Sequence, residues 1–275
     1  MSDGREKYGL IAGNGQFPLL VLQSAREQKI EMVVAAIKEE TSREVESFQY
    51  PVHWLGLGQL GKLIRVFKDA GINNAIMAGQ VKHVQIFGSS VPDLTMIRLL
   101  ATLKQKNTDA LIGGIAKVLD EAGITLIDST AFLKPHMAPE GALTRRNLTS
   151  QEKEDVAYGR PIAQSIAMMD VGQTIVVRER AVVAVEAMEG TDAVIRRAAL
   201  LVHQKKLTVI KVSKPKQDMR FDVPVIGIAT VEAMIECGAT ALAIDAHKTL
   251  VFDKGKLVQL ADANDIAVVG LPPLE

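Results

Sequence analysis

From Lys211 to Gly227 the chain reads Lys-Val-Ser-Lys-Pro-Lys-Gln-Asp-Met-Arg-Phe-Asp-Val-Pro-Val-Ile-Gly, so that the apolar run Leu207 to Val212 feeds directly into Lys214, Gln217, Asp218, Arg220 and Asp222. Cations bind phosphate oxygens, while carboxylates hold a divalent cation or position a water. A phosphate ester or anhydride substrate needs both. Lys211, Lys214 and Arg220, with Arg145 and Arg146 farther back, are the candidate diphosphate partners. Earlier in the chain, Glu189-Gly190-Thr191-Asp192 lies between a strand-like run and a helical one. Thr191 or Asp192 suits a helix N-cap, and the same loop can wall a pocket in which Glu189 and Asp192 are oxygen ligands for Mg2+. The competing reading of the charged segment is a solvated connection, with Pro215 and Pro224 stopping helix formation at either end.

Two further turns fall where ligands gather. Gly13-Asn14-Gly15-Gln16-Phe17-Pro18 follows the strand-like Tyr8 to Ala12 and opens a helical pattern. Backbone amides and the dipole of a helix start can hold a phosphate there. Pro18 stands where a third glycine would complete a dinucleotide fingerprint, and it suits the first helical turn of a plain connection equally well. Ala78-Gly79-Gln80-Val81-Lys82 follows another strand-like run, and Lys82 can reach a phosphate or face solvent. Lys38-Glu39-Glu40, closing the second strand, places an acid where a cofactor ribose would need one. The histidines at 53, 83, 136, 203 and 247 lie at least thirty residues apart, and none pairs with another at a metal-ligand spacing.

Positioning these residues requires alternating elements. Strand-like runs at Tyr8 to Ala12, Met32 to Ile37, Val52 to Leu55, Asn74 to Met77 and Ile124 to Ile127 alternate with helical patterns at Phe17 to Gln28, Leu57 to Ala70, Leu94 to Leu103 and Ala110 to Ala122. That alternation predicts a parallel sheet covered on both faces, a Rossmann-like domain over residues 1–133. Residues 134–155 read as a connection, with Thr149 or Ser150 capping a helix that continues through Val156 to Met169. A mixed α/β domain over residues 156–275 follows. Its expected parts are a hairpin about Arg178-Glu179-Arg180, a helix from Asp192 to Gln204, a strand at Leu207 to Val212 and another at Ala241 to Ile244. A second hairpin from Leu250 to Leu257 about Asp253-Lys254-Gly255 and a last strand at Ile266 to Val269 complete it, and the active site is expected in the cleft between the two domains.

Composition narrows the classes of function. Thirty-two basic and thirty-two acidic residues cancel, and aromatics make up 4%, so the global basic footprint and the stacking platforms of a nucleic-acid binder are missing. No run approaches the length of a spanning helix, and the polar Met1 to Lys7 lacks the apolar core of a secretory signal, so a cytoplasmic location is expected. Cys237 alone can form neither an intramolecular disulfide nor a thiolate cluster, and it reads as a small buried side chain.

The order of six short segments carries a specific resemblance: Gly9 to Pro18, Gly141 to Arg145, Asp170 to Thr174, Glu189 to Asp192, Lys214 to Asp218 and Arg220 to Gly227. Together they resemble the UDP-2,3-diacylglucosamine pyrophosphatases of lipid A synthesis, in the form unrelated to the calcineurin-like metallophosphoesterases and their histidine-rich metal sites. The resemblance implies Mg2+-dependent hydrolysis of UDP-2,3-diacylglucosamine to UMP and 2,3-diacylglucosamine 1-phosphate. It makes Asp222, in Arg-Phe-Asp-x-Pro, the essential aspartate, either a metal ligand or the base for water, with Asp192 and Asp218 as substitutes. It assigns the substrate to Gly13 through Pro18, Gly79, Lys82, Gln173, Thr191, Lys211, Lys214, Gln217 and Arg220, and the metal to Glu189, Asp192, Asp218 and Asp222. A lipid substrate also implies peripheral contact with the inner membrane, and a homo-oligomer is compatible with it. Two rivals stand beside this reading: an NAD(P)-dependent oxidoreductase using the glycine turn, and a non-catalytic UDP-sugar-binding protein.

Overall fold

The first half of the chain builds its sheet from short runs that are apolar on nearly every residue, as strands covered on both faces must be. β1 (Lys7–Ala12), β2 (Glu31–Ile37), β3 (Val52–Leu55), β4 (Asn74–Ala78) and β5 (Thr125–Leu126) are all parallel, in the order β3-β2-β1-β4-β5. That is the order of doubly wound sheets, with its reversal between β1 and β4. The computed structural model describes residues 6–81, 91–103, 108–203, 206–215 and 217–274. Helices α1 (Phe17–Glu27), α2 (Leu60–Asp69), α3 (Leu94–Thr102) and α4 (Thr108–Glu121) connect the strands. Phe67 of α2 is fully buried over β1, where a Cβ on Gly9 would come within 2.7 Å of its ring. Asp93 serves two helix starts, since its carboxylate accepts from Met96 N (2.9 Å) in α3 and from Gly61 N (2.6 Å) in α2.

The chain divides into two compact units. The first is Met1–Leu133 with Met219–Phe221, and the second is Lys134–Asp218 with Asp222–Glu275. In the first unit, Ser129 donates its hydroxyl to the Arg220 carbonyl (2.6 Å) and its amide to the Met219 carbonyl (2.9 Å).

The second unit carries a mixed six-stranded sheet in the order β6-β13-β11-β9-β7-β8. Its strands are β6 (Gly141–Ala142), β7 (Thr174–Arg178), β8 (Ala181–Val185), β9 (Leu207–Lys211), β11 (Ala239–Asp245) and β13 (Ala267–Leu271), and β10 (Val225–Ile226) pairs separately with β12 (Leu250–Val251). Helices α5 (Ser150–Met168), α6 (Thr191–Val202), α7 (Ile228–Glu236) and α8 (Lys254–Ala263) complete it. The cap expected at the start of α5 is present in full. Thr149 accepts from Glu152 N, and Glu152 reaches back to Thr149 N. The β7–β8 turn places Glu179 and Arg180 at φ 49° and 58°, the twist that a two-residue hairpin requires, and buried Asp155 accepts from Arg180 N at 2.8 Å to hold it.

One sequence expectation fails. Leu250 to Leu257 is not a hairpin: Asp253 adopts a left-handed conformation (φ 46°) and α8 begins at Lys254. Gly255 suggested a turn, but Leu257 and Ala261 are both fully buried four residues apart, and burying that stripe outweighs the cost of one glycine near a helix start. Among the described residues no helix is long and apolar enough to cross a membrane.

Candidate active site at the end of strand β9

β9 is buried along its whole length and ends on a lysine, so the ammonium of Lys211, 5% exposed, must find partners inside the protein. Its Nζ donates to Thr191 Oγ1 at 2.7 Å. Thr191 opens α6 and donates its own hydroxyl hydrogen bond to Glu186 Oε1 (3.1 Å), which leaves the Thr174 hydroxyl as the donor of the 3.2 Å bond between the two threonines. Burial pushes the Lys211 ammonium below the ordinary lysine range, against the opposing fields of Glu186, Asp192 and Asp222.

Lys214 stands at the other end of this short segment. Its Nζ lies 2.6 Å from Asp170 Oδ1 and 3.2 Å from Asp222 Oδ2. Partial burial alone would lower its pKa, but the two carboxylates carry it above the usual value. The loop between Lys214 and Asp222 braces itself. Gln217 accepts from Lys214 N (2.6 Å) through Oε1 and donates to the Asp222 carbonyl (2.5 Å) through Nε2, and Asp222 N donates to the Asp218 carbonyl (2.9 Å). Gln217, expected at the substrate, thus holds the loop that presents Asp222.

Three of the four carboxylates named as metal ligands, Glu189, Asp192 and Asp222, meet different partners. Glu189 takes Arg197 at 2.5 Å and Ala187 N at 3.0 Å, which hold its carboxyl below the usual range. Asp192 accepts from the Thr230 hydroxyl at 2.9 Å, and Asp222 meets Lys214. Among the described residues no three His, Cys, Asp or Glu side chains gather into a metal cage. Of the arginines considered, Arg146 is bound into a structural network with Glu152 and Thr240, Arg145 pairs with Asp262 at 3.3 Å, and the Arg220 guanidinium lies 5.5 Å from the ring centroid of Phe221.

In the first unit the two glycine turns lock together at the switch between β1 and β4. Gly13 N donates to the Ala78 carbonyl (2.8 Å), and Asn14 and Gln80 exchange backbone bonds at 2.7 and 3.0 Å. The fit requires glycine, because a Cβ on Gly79 (φ 93°) would sit 2.6 Å from the Asn14 carbonyl oxygen and one on Gly13 would sit 2.7 Å from that of Gln80. The amides of Gly13 and Asn14 are therefore engaged by backbone, and the phosphate-cradling geometry read from the glycine spacing is not formed by them. Gly15 (φ 92°) turns the chain, Gln16 caps α1 without a side-chain bond, and Phe17 and buried Pro18 form its first turn. Lys82 lies outside the described residues.

Asp170 meets Lys214, and Glu186 and Thr174 join Lys211 through the Thr191 hydroxyl, although no chemical spacing singled these residues out. Each depends on hairpin register: Glu186 N donates to the Thr174 carbonyl, and Gly172 leaves room for the Glu186 backbone. Gln173, expected at the substrate, donates its amide to Glu186 Oε2 (3.3 Å) and gives its carbonyl to Val212 N (2.9 Å). Its side-chain oxygen is buried with no hydrogen-bond partner.

Lysines and carboxylates at the end of a buried strand are the groups that a phosphate substrate needs. The LpxI N-terminal domain model matches residues 7–136 and the LpxI C-terminal domain model residues 139–269, so the chain belongs to the LpxI family. It is 28% identical over 279 aligned positions, 98% of this chain and 99% of the other, to the UDP-2,3-diacylglucosamine pyrophosphatase LpxI of Caulobacter vibrioides. Solved structures that overlap it include the biotin carboxylase domain of the Hydrogenobacter thermophilus 2-oxoglutarate carboxylase (13% identity, 63% of this chain and 35% of that one) and the biotin carboxylase subunit of pyruvate carboxylase (16%, 62% and 34%). Both overlaps have a TM-score of 0.26, too low to carry an argument.

Proposed function

We propose that the protein hydrolyses the diphosphate of UDP-2,3-diacylglucosamine, releasing UMP and 2,3-diacylglucosamine 1-phosphate. The observation that carries this reading is buried Lys211, bonded to Thr191 at the end of β9, with Lys214 three residues on between Asp170 and Asp222. Family membership and the named activity of the Caulobacter relative support the substrate. Two lysines match the charge of a diphosphate, and both interactions strengthen as the bridging oxygen leaves with its electron pair. Lys214 is shared between Asp170 and Asp222, so an arriving phosphate can draw it away and free Asp222 Oδ2 to accept a proton from water. The unpartnered Gln173 side-chain oxygen is an acceptor for a hydroxyl or N–H of the sugar nucleotide.

The donor set suits Mg2+, which takes one or two carboxylates and completes its shell with water and phosphate oxygens. Asp222 and Asp192, the two of the four whose fields act on Lys211, would hold it. When bound, the ion neutralises charge on the diphosphate. A diacylated substrate resides in a lipid layer, so the reading includes peripheral contact with the inner membrane.

The test is UMP release from UDP-2,3-diacylglucosamine by the purified protein, with Mg2+ or chelator, beside Asp222→Ala. Release that needs the metal and disappears in the variant is expected. Intact substrate under every condition refutes the hydrolysis, and binding without turnover then points to a UDP-sugar-binding protein.

A further inference from the structure

Beyond the two lysines, one buried carboxylate holds the segment that carries them. Asp245 ends β11, the strand beside β9, one step past the pair Ile244 and Lys211. It is fully buried, at 0% exposed. Its Oδ2 accepts both donors of a single residue, Ser213 N at 2.7 Å and Ser213 Oγ at 2.8 Å. Its Oδ1 accepts from Arg160 at 2.7 Å, and that guanidinium, reaching over from α5, also donates to the Pro272 carbonyl at 2.6 Å.

The place of Ser213 gives these bonds their meaning. β9 leaves the sheet after Lys211. Val212 N still finds a carbonyl, that of Gln173, but the next amide has no strand opposite it, and a buried amide without a partner is costly. Asp245 supplies the partner. It thereby fixes the peptide between Lys211, which reaches Thr191, and Lys214, which reaches Asp222.

A structural role alone explains less. An ion pair holding α5 to the sheet needs only Arg160, and well-packed apolar side chains hold a helix to a sheet at least as well as a buried charge pair does. What an apolar pair cannot do is fix the direction of one N–H and one O–H together. We propose that Asp245 is a positioning residue for Lys211 and Lys214, clamping Ser213 so that the backbone between the two lysines is fixed and both are held ready for a diphosphate. This rests on the phosphate reading of the site given above.

The decisive variants are Ser213→Ala, which removes one of the two bonds and leaves the amide held, and Asp245→Asn, which removes the charge that both donors face. Three measurements are made on each full-length protein: the unfolding midpoint, the Kd for inorganic pyrophosphate by titration calorimetry, and kcat and KM for UDP-2,3-diacylglucosamine. Ser213→Ala is expected to unfold close to the wild type while its Kd for pyrophosphate rises and its kcat/KM falls, each by about fivefold, the factor carried by one hydrogen bond. Asp245→Asn is expected to show larger losses of both. If Asp245→Asn does not fold, Ser213→Ala decides alone. A Ser213→Ala protein with wild-type Kd and kcat/KM overturns the proposal, whatever happens to its unfolding midpoint. Wild-type protein that binds pyrophosphate but leaves UDP-2,3-diacylglucosamine intact refutes the hydrolysis and leaves the clamp to be decided by the Kd values. Wild-type protein that does not bind pyrophosphate overturns the clamp's purpose.

Discussion

Replacing Glu152 with Gln tests the electrostatics that hold α5 in the second unit. The residue is 7% exposed and its carboxylate receives Thr149 N and Arg146 on Oε2 (2.8 Å each), with the Thr240 hydroxyl (2.6 Å) and Arg146 (3.0 Å) on Oε1. Burial by itself would raise its pKa, but Arg146, Thr240 and the Thr149 amide together bring it down from 4.5 to about 2. Because the folded value is the lower one, the stabilisation is complete above pH 4.5 and is lost as the pH falls toward 2. That gap corresponds to about 3 kcal/mol at neutral pH, of which roughly half or less is left at pH 3. The raised value of Arg146 reports the same contacts and adds nothing further. Urea unfolding followed by circular dichroism, at pH 7 and at pH 3, gives the difference between the wild type and Glu152→Gln. The difference is expected to be about 3 kcal/mol at pH 7 and to shrink by half or more at pH 3. A difference that stays constant across this range would refute the ionic account, because a lost shape or cap contact carries no such pH dependence.

Gly79→Ala places a Cβ 2.6 Å from the Asn14 carbonyl oxygen at φ 93°, so a loss of about 2–4 kcal/mol in urea unfolding is expected. A loss below about 0.5 kcal/mol would mean that the two turns are not locked. Lys211→Met keeps the buried volume and removes the cation, so kcat is expected to fall about 100-fold or more while the protein stays folded; wild-type kcat would take Lys211 out of the chemistry. Asp170→Asn removes one of the two carboxylates on Lys214, and a change in KM larger than the change in kcat is expected if the pair sets how readily Lys214 meets substrate.

Much of the scaffold was legible because it depends on local pattern. Apolar runs alternating with helical spacing identified both sheets, and Thr149 with Glu152 three residues later marked the start of α5. The lysine and carboxylate types around β9 were legible for the same reason, since charge at the end of a buried strand is conspicuous in one dimension. The α8 segment was not. Asp253-Lys254-Gly255 is turn-like in isolation, and only the core beneath Leu257 and Ala261 selects the helix.

For the site, the chain by itself determined which chemical groups exist and which strand ends carry them. The tertiary structure decided which groups meet. Glu186 joins Lys211 through Thr191 because β8 lies against β7, and Asp245 reaches Ser213 because β11 lies against β9. The Gly13–Gly15 turn suggested phosphate amides, whereas its strand and that of Gly79, adjacent in the sheet, bring the two turns close enough to bond each other. Residue type is a property of the sequence. Which donor finds which acceptor follows from strand order and register, which arise only when distant segments bury their apolar surface together.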